Sequence, residues 1–135
     1  MKTIKNLAAI SILAVSTLVL IGWYPLEKKS GKDATENIIV LLKFKAQPDK
    51  GDQAVSELTD LFEKVKEEPN FISITLHVDP KDNTNILLYE EWGDESYYNN
   101  EHMNTSHLKE FMENSVNFLT GPPEITFWKV KNVFK

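Results

Sequence analysis

The sequence predicts an α+β fold: a ferredoxin-like β-α-β-β-α-β subunit behind an N-terminal hydrophobic signal or anchor segment. Three observations predict it. Apolar runs rich in β-branched residues alternate with two stretches of helical periodicity, in the order strand, helix, strand, strand, helix, strand. Turn formers fall between them, at Pro48–Gly51, Pro69-Asn70, Asp79–Asn83 and Thr120–Pro123. Right-handed crossovers then give a four-stranded antiparallel sheet with both helices on one face.

Size and composition bound the reading. A chain of 135 residues with 41% hydrophobic residues suits one domain with a real core. The formal charge is −5, and all 15 basic residues are lysine. Without arginine forks or a basic face, nucleic acid is not expected as a partner. A phosphate-clamping enzyme is disfavoured for the same reason. With no cysteine, disulfides and thiolate chemistry are excluded, and the compartment is left open.

Residues 1–25 read as a signal peptide or membrane anchor. Lys2 and Lys5 precede an apolar run, Leu7–Tyr24, which reaches the length at which signal peptide and membrane span overlap. Export follows, to the periplasm or beyond, with a membrane tether through residues 7–24 if the segment is retained. Residues 26–36 are a polar linker, and residues 37–135 form the domain. Its first strand is Ile38–Ala46. The helix from Gly51 to Glu68 carries one stripe of Ala54, Val55, Leu58, Leu61, Phe62 and Val65, leaving Glu63, Lys64, Lys66, Glu67 and Glu68 to water. In Phe71–Val78, Ile72, Ile74, Leu76 and Val78 share one face, opposite Phe71, Ser73, Thr75 and His77. Asn85–Trp92 completes a hairpin. Asp94 can cap a short helix, Glu95–Met103, and Ser106 a second piece whose core face is Leu108, Phe111, Met112, Val116 and Leu119. Glu124–Phe134 is the last strand.

Two helices cover one face of such a sheet, yet both faces carry apolar side chains. In the first strand, Ile38, Val40, Leu42 and Phe44 oppose Ile39 and Leu41. The second face predicts a symmetric homodimer whose sheets meet. Part of the space between sheet and helices is expected to remain as a pocket with Trp92, Tyr98 and His102 at its mouth.

Chemistry concentrates in Tyr89–Phe111. Tyr98 and His102 are four apart and share a helix face. His102 is the candidate base because its reference pKa lies near neutrality. Tyr98 can donate to a substrate oxygen, and Trp92 can wall the pocket and stack on a flat ring. Glu90 and Glu91 alternate across the strand, so one points inward and needs a partner, for which His102 is a candidate; such pairing would raise the imidazole pKa and weaken the base. His77 reads as a cross-strand surface residue and His107 as an exposed helix-start residue. His77, His102 and His107 lack a metal-ligand spacing, so no metal is expected.

The run Tyr89-Glu90-Glu91-Trp92, then Tyr98, His102 and Ser106-His107-Leu108-Lys109-Glu110-Phe111, resembles the antibiotic biosynthesis monooxygenase family, including its quinol monooxygenase-like members. The resemblance covers residues 37–134. It implies a dimeric α+β barrel of ferredoxin-like subunits. It also implies oxygenation of a small electron-rich aromatic, a quinol or anthrone, by O2 without metal or flavin. On this reading His102 and Tyr98 are catalytic, and Trp92, Glu90 and Tyr89 bind substrate. The haem-degrading branch of the family has Trp where this chain has His102, His where it has Met112, and an Asn within the first strand where it has Val40–Lys43. Haem is therefore not expected. A non-catalytic dimeric module holding a hydrophobic ligand is the other reading.

Overall fold

The computed structural model describes residues 37–134. The expected leader or anchor and the linker lie outside them. β1 (Ile38–Lys45) is central in the sheet. β3 (Asp82–Trp92) pairs antiparallel along one of its edges and β4 (Glu124–Lys129) along the other. β2 (Phe71–Asp79) adds outside β3, giving the order β2-β3-β1-β4. Apolar side chains on both faces of β1 suit a strand hydrogen-bonded on both edges. The expected element order and antiparallel four-stranded sheet are both present.

α1 (Gly51–Val65) buries Ala54, Leu58, Leu61 and Val65. These pack on Val40, Leu42 and Phe44 of β1 and on Ile86, Leu88 and Trp92 of β3 in one core cluster. After β3, Asp94 caps α2 (Glu95–Asn100): its carboxylate accepts from the Tyr97 amide at 2.9 Å. A 3₁₀ turn (His102–Asn104) then leads into α3 (Ser106–Ser115). Tyr98, Phe111, Phe118 and Leu119 close the core on this side.

The structure departs from the expected boundaries where local geometry outweighs periodicity. α1 stops at Val65, and the chain tightens: the Glu67 amide donates to Lys64 O at 3.2 Å and the Glu68 amide to Val65 O at 2.9 Å. Asn70 then turns at φ 64°, a left-handed conformation that asparagine tolerates. β2 is bulged between Phe71 and Ser73. The bulge shifts the alternation by one residue, so Phe71 packs inward beside Trp92 and Ile72 is exposed, the reverse of the expected faces. The β2–β3 turn shrinks to Pro80-Lys81 because the side chains of Asp79 and Asp82 accept from the Lys81 and Thr84 amides at 2.9 and 3.0 Å. Thr105, not Ser106, holds the N-cap position of α3, and its hydroxyl donates back to His102 O at 2.9 Å rather than to the helix. Met112 and Val116 are exposed, and Phe118 takes the core position instead. β4 ends at Lys129, not Phe134, because Lys129 already pairs with Ile38, the first residue of β1.

Gly51 fixes how α1 starts. A Cβ there would lie 2.5 Å from the Asn83 carbonyl oxygen, a backbone atom that cannot swing aside. Gly51→Ala should therefore destabilise the domain by about 1–3 kcal/mol, the usual cost of overpacking. Urea denaturation checks this: the midpoint should fall with the slope unchanged.

Candidate active site

The site is built on Trp92, the last residue of β3. Its side chain is fully buried and meets Phe71 edge-on with ring centroids 5.7 Å apart, Tyr98 edge-on at 5.4 Å and His102 at 4.5 Å. Tyr98 and His102 stack at 4.9 Å, as expected for residues one helical turn apart. The Trp92 indole N–H donates to Glu90 Oε2 at 3.0 Å.

Of the two strand glutamates, Glu90 points inward and is 4% exposed. Its partner is Trp92 rather than His102. Glu91 lies on the opposite face, where its Oε1 accepts from Asn37 Nδ2 at 2.8 Å. An indole N–H is a weak counterweight to an excluded water shell. Burial pushes the Glu90 carboxyl up to about 7; the Trp92 hydrogen bond opposes this and the charge of Glu68 adds to it.

His102 takes its partner from α1's end. Its Nδ1 lies 3.0 and 3.1 Å from the two carboxylate oxygens of Glu68. The same carboxylate meets His107 Nε2 at 2.5 Å and accepts from the Tyr97 hydroxyl at 3.2 Å. The Glu68 side chain is only 6% exposed, so the expectation that it faces water is overturned. The tightened turn after Val65 swings it inward. His107, expected to be exposed, is largely covered as well. Burial lowers the His102 pKa from its ordinary 6.5; the Glu68 hydrogen bond and charge pull upward, and His107 reinforces the lowering. A neutral imidazole donating Nδ1–H to Glu68 leaves Nε2 as its free lone pair.

Between sheet and helices lies a cavity of about 550 Å³. Glu90, Tyr98 and His102 line it together with apolar residues that include Leu42, Phe44, Leu61, Leu88 and Phe111. The Tyr98 hydroxyl has no partner among the described residues. Burial, with the charge of Glu90, raises its pKa, so it can donate but not act as a base near neutrality. Two expected residues are not on the wall. Trp92 stands behind Tyr98 and His102 and supports them. Tyr89 lies on the far face of the sheet, opposite Leu41 and Thr75. His77 is exposed, with Nδ1 3.3 Å from Leu87 O across the strand pair, as its alternation suggested.

Residues 37–114 match the antibiotic biosynthesis monooxygenase family. The chain belongs to that family. An uncharacterized protein, sll1783, of Synechocystis sp. is 26% identical over 126 residues, covering 93% of this chain and 85% of that one. Among solved structures, a conserved protein from Methanosarcina mazei Go1 has a TM-score of 0.65 and 22% identity, covering 73% of this chain and 96% of its own. PA3566 from Pseudomonas aeruginosa gives 0.66 and 20% over 73% and 98%. A structure described as an antibiotic biosynthesis monooxygenase gives 0.63 and 21% over 70% and 99%. At these identities the solved structures speak for the fold alone.

Glu68 is the residue that sequence reasoning missed. A signal was present: Leu58, Leu61, Val65 and Glu68 continue one i, i+3, i+7, i+10 stripe, so a carboxylate falls where an apolar residue is due.

Glu90 generates a pH-dependent prediction. Its pKa is raised on folding, so its contribution to stability is fully present below about pH 4.5 and is lost as pH rises to about 7. Replacing it by Gln, which stays neutral and can still accept from Trp92, should stabilise the protein at pH 8 by on the order of 3 kcal/mol. The gain should vanish near pH 4, as thermal unfolding of both proteins across pH will show.

Proposed function

We propose that this family member is a cofactor-independent monooxygenase of a small electron-rich aromatic, quinol- or anthrone-like, working as a homodimer exported from the cytoplasm. The observation that carries the reading is the placement of His102, backed by Glu68, beside Tyr98 and Glu90 on the wall of one apolar cavity. The dimer is supported by the outer sheet face, where Leu41, Leu87, Tyr89 and the well-exposed Trp128 lie uncovered by helices.

The chemistry balances without an added reductant. For a CH₂ flanked by aromatic rings, CH₂ and O2 become C=O and water, and the substrate supplies all the electrons. His102 Nε2 takes the first C–H proton. The carbanion passes an electron to O2, the radicals join, and a C–O bond forms. His102 returns its proton to the peroxide while the Tyr98 hydroxyl steadies the charge. Ionised Glu90 then removes the second C–H proton, the O–O bond breaks, and the departing hydroxide leaves as water with that proton. The apolar walls keep bulk water from the anion.

Oxygen uptake by the purified protein with a panel of hydroquinones and anthrones tests the reading. His102→Ala should lower the rate by about 10²–10⁴-fold, the range for a lost general base, while the oligomeric state is retained. Saturable binding without uptake, indifferent to His102→Ala, would replace the enzyme with a hydrophobic-ligand module.

A further inference from the structure

The cavity is chemically two-ended. Its titratable groups are all at the buried end, where Glu90, Tyr98 and His102 are almost without exposure. Gln47, Ser115 and Thr120 also line it nearer solvent, but the Gln47 amide donates to Val116 O and Leu119 O, the Ser115 hydroxyl to Met112 O and the Thr120 hydroxyl to Lys45 O. The other lining residues that reach solvent are apolar. Val116 is 71% exposed, Met112 54% and Ile125 37%, and with Gly121 and Pro122 they form the rim. Sheet register sets the distance between the ends. Glu90 pairs with Val40, and Val40 with Phe127; one repeat along, Leu88 pairs with Leu42, and Leu42 with Ile125. That repeat is about 7 Å along the strands. The next, at Phe44 and Ile86, leads toward Gln47 and Leu119.

A pocket for a compact, water-soluble aromatic would bury its apolar walls and present polar groups at its mouth. Here the order is reversed. A ring whose oxygen reaches Tyr98 and His102 fills the inner end, and whatever is attached to the far edge of the ring must pass along Leu42, Leu88 and Phe111 and across the rim. The side chains there offer dispersion contacts and almost no hydrogen bonds, so an apolar chain is what they accommodate.

We propose, resting on the monooxygenase reading, that the substrate is an amphiphile. Its hydroxylated ring enters first, and a hydrocarbon tail on the ring edge remote from the oxygen held by Tyr98 and His102 lies along Leu42, Leu88 and Phe111 and leaves between Met112, Val116 and Ile125. The rim is thus a tail subsite, and tail length determines affinity.

Binding of 4-alkylphenols, from methyl to octyl, to the full chain tests this by calorimetry, with no turnover required. The Kd should fall about two- to fourfold for each methylene, as partial to full burial of a CH₂ implies, and level off once the tail clears the rim. In Val116→Glu, at an exposed position where folding is not at stake, the ratio of Kd between methyl- and octylphenol should shrink at least tenfold. A Kd independent of tail length, or an equal change for short and long phenols in Val116→Glu, overturns the proposal; so does a rim closed to ligand by a second copy, which would give the same flat series. Oxygen uptake with short and long hydroquinones is read separately. A tail-length gradient in binding without uptake removes the monooxygenase reading and keeps the subsite; uptake with a flat series does the reverse.

Discussion

A buried carboxylate must be paired, or it must give up its charge. This chain contains both solutions within one site. Glu68 is held by Tyr97, His102 and His107, donors supplied by α2, the 3₁₀ turn and α3. The carboxylate therefore fastens that whole segment to the end of α1. Removing it would leave its partners facing one another with nothing between them. Glu90 has a single indole N–H and answers by retaining its proton to about pH 7. The two acids differ in the number of donors that reach them more than in burial.

This arrangement explains why the site was only partly legible in the sequence. The strands, α1 and the inward turn of one of Glu90 and Glu91 follow from periodicity, which depends on neighbours along the chain. Tyr98 and His102 were legible together because four residues on a helix is also a local relation. Glu68 meets His102 across 34 residues of sequence. A charge at the end of a Lys- and Glu-rich run gives no outward sign of being turned in, except that it continues the Leu58–Leu61–Val65 stripe. The faces of Phe71 and Ile72 were misread for a similar reason: one bulged residue reverses a two-residue alternation, and nothing in Phe71-Ile72-Ser73 announces it. Trp92 was legible as important but not in its role. Its size suits a wall, yet the strand register puts it one layer behind the side chains that line the cavity.

The apolar cavity does more than admit a ligand. Desolvation disfavours whichever form is charged, so it moves an acid and a base in opposite directions. Glu90 is raised from the ordinary carboxylate range to about 7, and His102 is lowered from 6.5. In water an imidazole holds its proton more tightly than a carboxylate; here burial moves the two toward each other. A carboxyl that retains its proton up to neutrality stands on the same wall as an imidazole that surrenders its proton below it. Protons can then pass through the site at little free-energy cost in either direction, which is what alternating deprotonation and protonation of a substrate requires. Glu68 limits the movement of His102, since its charge and hydrogen bond keep the imidazole from falling further. Dry walls and one paired carboxylate thus set the balance jointly. Polar side chains along the cavity would rehydrate Glu90 and His102, return each toward its ordinary value, and leave a site able to bind an aromatic ring but poorly matched to moving its protons.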